Sequence, residues 1–118
     1  MFKGLIIQES LKDLGVLELV SITRKETWQV GNAAPGQPLT WTALSFEAEE
    51  SWAGLIARKV SRALKASWYA NGSTLTEVFV IFPGKVYRYS KGDKAQREAA
   101  QQFGRGLGIP EKQLDWSE

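Results

Sequence analysis

The stretch TEVFVIF, residues 76–82, constrains the fold more than any other part of the chain. Val78 to Phe82 form an unbroken apolar run, and a run of this kind marks a strand buried on both faces. Pro83-Gly84 then turns the chain, and KVYRYS (85–90) returns as the next strand.

A second strand–loop–strand unit lies upstream. SITRKETWQV (21–30) alternates and is rich in Thr, Ile, Val and Trp, which predicts a strand. GNAAPGQP (31–38) reads as a loop on its Gly, Pro and Asn content, and LTWTALSFE (39–47) as a second strand. So short a connection predicts an antiparallel hairpin in which Val30 meets Leu39. That register sets Trp28 opposite Trp41 on one face, while Leu44 and Phe46 point to the other. GLIIQES (4–10) reads as a strand, and SWYANGS (67–73) as a strand that ends at an Asn71-Gly72 turn. Residues 10–20 read as a short helical or irregular connection.

Two segments have helical spacing. In residues 51–65, Ser51 is placed to cap, and Glu49 and Glu50 at the start with Arg62 and Lys65 at the end suit the helix dipole. Trp52, Leu55, Ile56, Val60, Ala63 and Leu64 form its apolar stripe, so Trp52 is expected in the core. In the second, Asp93 and Gln96 have capping-box spacing, and Ala95, Ala99, Phe103 and Leu107 recur every fourth residue. Gly108, Ile109 and Pro110 stop that helix, after which PEKQL forms a last turn and Leu114 and Trp116 dock the tail. This order predicts one α+β domain over residues 1–118. It would have a largely antiparallel sheet of five or six strands and two main helices on one face, ferredoxin-like or a variant of it.

Composition narrows the chemistry. The chain has no cysteine and no histidine. That excludes disulfides, thiol nucleophiles, the usual zinc sites, and Ser-His-Asp or Cys-His catalysis. No catalytic residue, metal site or cofactor is assigned. Fifteen basic against thirteen acidic residues leave a formal charge of +2, less concentrated than committed DNA binders carry. No apolar run approaches the roughly 20 residues that span a bilayer. The N-terminal MFKGLIIQES is too short for a secretory signal, so the expectation is a cytoplasmic protein without a membrane partner.

The glycines of GRGLG (104–108) lack the spacing of a dinucleotide fingerprint and fall at a helix end, and PGK (83–85) lacks the rest of a P-loop. Glu47, Glu49 and Glu50 cluster before a helix, where they complement its dipole. Tyr87 and Tyr89 share a strand face with Lys85, while Arg88 points the other way and Lys91 follows. That grouping resembles the stacking strands of single-stranded nucleic-acid binders. Trp28 and Trp41 form the other candidate surface. If helices cover one face only, an exposed aromatic set would bind a ligand, a protein partner or a second copy of the chain. The leading expectation is therefore a non-enzymatic binding or interaction module. It would use Trp28, Trp41, Tyr87 and Tyr89 to form a homodimer or to hold an unknown small-molecule or protein partner. One alternative is nucleic-acid binding through Lys85, Tyr87, Arg88, Tyr89 and Lys91. The other is a small enzyme that uses carboxylates without His or Cys.

Overall fold

The apolar run lies in the strand Glu77–Phe82, which is buried on both faces. The structure is a computed structural model that describes residues 1–31 and 33–118. Its strands are β1 (Phe2–Ile7), β2 (Ser21–Gln29), β3 (Thr40–Ala48), β4 (Ala70–Ser73), β5 (Glu77–Phe82) and β6 (Lys85–Ser90). Helix α1 (Ala53–Ala63) joins β3 to β4, and α2 (Lys94–Gly106) follows β6. The strands form one six-stranded antiparallel sheet of order β2-β3-β1-β4-β5-β6. Strands β3 and β4 flank β1 and run parallel to one another, so their connection must cross over the sheet, and α1 does this.

The α+β class and the antiparallel sheet agree with the sequence reading, but the helices do not share a face. Phe79 and Ile81 pack with Ile56, Ala57 and Val60 of α1. Val78, Val80 and Phe82 pack with Ala100 and Phe103 of α2 on the opposite side. Successive strand residues point to opposite faces, so a strand apolar at every position needs cover on both. The element order is β-β-β-α-β-β-β-α rather than the β-α-β-β-α-β of ferredoxin-like domains.

Under α1, Phe2 meets Phe46 and Phe79 edge-on, with centroids 5.4 and 5.0 Å apart. Gly4 and Gly72 are cross-strand partners beneath these rings. A Cβ on Gly72 would lie 2.6 Å from the Phe2 ring, and one on Gly4 would lie 2.7 Å from Phe46. Gly72 therefore serves ring packing inside β4, and the Asn71-Gly72 turn expected from the sequence does not form. The chain turns at residues 74–76, where the Glu77 amide donates to Thr74 Oγ1 at 3.1 Å.

Residues 8–19 hold two short 3₁₀ helices, Gln8–Ser10 and Leu14–Leu19. They bring Leu11, Val16 and Leu17 against the α1 core. Trp52 is not in the core and is 55% exposed. It ends a 3₁₀ turn (Glu50–Trp52) before α1 begins at Ala53, and Ser51 makes no capping bond. Helix α2 starts as expected, with Asp93 accepting from the Gln96 amide at 3.1 Å. It ends at Gly108 in the left-handed region, φ +84°. Its innermost residues are Ala100 and Gly104; Ala95 is exposed.

Candidate functional site: an aromatic cleft

Trp28 and Trp41 are direct partners in the β2–β3 hairpin, and the Val30 amide donates to the Leu39 carbonyl at 2.8 Å, as the loop length predicts. Cross-strand partners share a face. Followed across the sheet, the pairings put Trp28, Trp41, Ile7, Leu5, Asn71 and Val80 on the α2 side. Helix α2 packs over β5 and β6, which leaves the rest of this face to other cover. A cleft of about 720 Å³ opens there, floored by Leu5, Ile7 and Asn71. One wall is the end of the hairpin with Trp28 and Trp41; the other is the C-terminal tail, including Gln113, Asp115 and Glu118.

The indoles form the apolar corner of the cleft. Trp41 and Trp68 meet at 4.7 Å with a 54° tilt and are nearly covered, and Trp41 Nε1 donates to the Pro38 carbonyl at 2.8 Å. Trp28 is only half-buried and presents the most accessible ring.

The tail wall is clasped firmly. Trp116 Nε1 donates to the Tyr89 hydroxyl at 2.9 Å, and that hydroxyl donates to Glu118 at 2.8 Å. Arg97 lies 4.9 Å from the centre of the Trp116 ring and donates to the Trp116 carbonyl and to Glu118 at 2.9 and 3.0 Å. Partial burial pushes the Glu118 carboxyl up, but hydrogen bonds from Gly92, Tyr89 and Arg97 outweigh it and hold the group below the usual carboxylate value. The Tyr69 hydroxyl donates to the Gln113 carbonyl. Burial, with the negative Asp115 nearby, holds that phenol well above its ordinary range. Gln37 ties the hairpin loop to the rest by donating to the Ser67 carbonyl and accepting from Gln113 Nε2, at 3.0 and 3.2 Å.

Tyr87 and Tyr89 lie on the same sheet face as the tryptophans but beneath α2. Tyr87 packs on Phe103 with centroids 5.7 Å apart, and Tyr89 is 4% exposed. Lys85 sits 5.2 Å over the Tyr87 ring. Arg88 faces the α1 side, stacked 4.8 Å over Phe79 and held by both Glu77 oxygens at 3.0 and 2.8 Å. Lys91 is exposed beyond the end of β6. The structure thus brings Trp28 and Trp41 together, leaves Tyr89 no open ring face, and sets Arg88 apart from both tyrosines.

Glu47 and Glu50, which cluster in the sequence, are engaged separately. Glu47 pairs with Lys3 at 3.4 Å and Glu50 with the N-terminal amine at 3.9 Å. Burial raises Glu9, but bonds from the Thr42 amide and hydroxyl prevail and leave its pKa lowered. Among the described residues, no group of three or more His, Cys, Asp or Glu is placed to hold a metal. None of the helices they form is long and apolar enough to cross a membrane.

Trp68 and Asn71 are cleft residues that the sequence reading does not single out. Trp68 gave no signal, because nothing local shows that residue 68 stacks on residue 41. Asn71 did give one, an Asn-Gly pair, but the pair was assigned to a turn. No family model, curated protein or solved structure matches the chain.

Proposed function

We propose that this protein is a non-enzymatic, cytoplasmic binding module that holds a small ligand in the cleft between the β2–β3 hairpin and the tail. The observation that carries this reading is the registered Trp28–Trp41 pair on the half of the sheet face that α2 leaves open. The cleft volume, about 720 Å³, falls within the roughly 300–1,000 Å³ of ligand pockets. Its lining sets the indoles of Trp28, Trp41 and Trp68 beside polar side chains such as Gln29, Asn71 and Ser73, so it offers both ring faces and hydrogen-bonding groups.

Trp52 provides an internal control, since it is exposed and lies outside the cleft. In ¹H–¹⁵N spectra, ring-containing fragments are expected to shift the indole N–H signals of Trp28 and Trp41 and to leave Trp52 unmoved. Trp28→Ala should weaken binding at least tenfold. Absence of any shift at Trp28, or equal shifts at Trp52, would count against the cleft. A concentration-dependent dimer abolished by Trp28→Ala would assign the same face to self-association instead.

A further inference from the structure

Asn71 sits in the interior of the sheet at a position where strand formation does not favour it. Strand β4 is hydrogen-bonded on both sides, and Asn71 stands in the cross-strand row between Leu5 and Val80. Asparagine is depleted in strands, because its amide offers the backbone competing hydrogen bonds. The neighbouring Gly72 is explained by the Phe2 ring above it. Asn71 has no such explanation: it is half-buried on the cleft floor, and its side-chain amide makes no hydrogen bond among the described residues. Ser73 adds an equally unengaged hydroxyl to the same floor, roughly 7 Å along the strand. A polar residue that breaks a local folding rule without a packing return points to function.

We infer, building on the binding reading above, that Asn71 selects the ligand. The ligand class is an uncharged molecule that carries a hydrogen-bond donor and acceptor side by side, next to a flat face. An asparagine amide presents one carbonyl acceptor and two N–H donors in one plane. Its complement is a lactam edge on a heterocycle or a pair of neighbouring hydroxyls on a sugar ring. The flat face of either lies against Trp28, with Trp41 and Trp68 behind it. The lack of net charge in the ligand follows from the lining. Lys3 is paired with Glu47, and Lys112, Asp115 and Glu118 put both signs along the tail wall. A site built around such an amide rejects analogues that lack the matching pair.

Asn71→Val tests this with two readouts. Valine suits a strand better, so the melting temperature should stay level or rise. Binding of 2-pyridone or of a methyl glycoside, read from the Trp28 indole signal, should weaken at least tenfold. Whichever of the two arms shows that loss identifies the source of the donor–acceptor pair. If toluene and naphthalene bind both proteins equally and neither polar probe is preferred, the inference fails while the binding reading stands. If nothing binds either protein, both fail. A melting temperature several degrees lower in Asn71→Val would make Asn71 structural and overturn the inference.

Discussion

Two aromatic groups share the α2 face of the sheet and end differently. Around β5 and β6, Tyr69, Phe82, Tyr87, Phe103 and Trp116 interlock at centroid separations of 5.1 to 6.0 Å, and α2 closes over them. On the β2–β3 half, Trp41 and Trp68 make a tight ring pair, and a cleft takes the place of a helix. The difference is one of cover rather than composition. A helix about 10 Å wide can shield about two strands spaced some 4.8 Å apart. Six strands therefore need more than one helix per face. On the α1 face the 3₁₀ segments at 8–19 supply the remainder; on the α2 face the tail crosses beside the hairpin and leaves a cleft. Aromatic residues mark a candidate site here only where cover runs out.

The largest test of this contrast is a pair of truncations. Phe82→Ala should cost about 3–5 kcal/mol in urea unfolding, as expected for a fully enclosed ring. Trp28→Ala, half-buried on the open half, should cost no more than about 1 kcal/mol. Equal losses would erase the distinction between the halves. A smaller effect is expected at the clasp between them. Arg97→Ala removes bonds to Trp116 and Glu118, and should cost about 1–2 kcal/mol. Amide exchange should then rise in residues 107–118 while β5 stays protected; protection lost uniformly would mean the tail is not a separate unit.

The smallest effect is one of pH. The Glu118 pKa is depressed on folding, so its contribution is present above the ordinary carboxylate value of 4.5 and is lost as pH falls through the lowered one. Glu118→Gln should therefore lower stability modestly at neutral pH, change it little in strong acid, and so flatten part of the acid limb of a stability–pH profile. An unchanged acid limb would show that Glu118 titrates alike in both states.

Much of the architecture was legible in the chain. Strand β6 and helix α2 follow from turn and cap chemistry that acts within a few residues: Pro83-Gly84, Asp93 with Gln96, and Gly108. The Trp28–Trp41 pairing follows from a short loop and strict alternation. Other features depended on distant partners. Trp52 matches the helical stripe but falls in a 3₁₀ turn that leaves it outside. Asn71-Gly72 has turn chemistry, yet the Phe2 ring uses that glycine inside a strand. The run Val78–Phe82 already demanded cover on both faces, which two helices on one face could not provide.

The α+β class, the hairpins, the second helix and a paired set of indoles on one sheet face were readable from the residues alone. Each of these rests on periodicity and backbone preference, which act between near neighbours. Long-range packing set the strand order, the placement of the helices on opposite faces, and the meeting of Trp68 and the tail with the hairpin around Asn71. Those outcomes depend on which apolar surfaces can cover one another, and residues 68, 71 and 116 reach the Trp28–Trp41 pair only once the distant strands and the tail have packed.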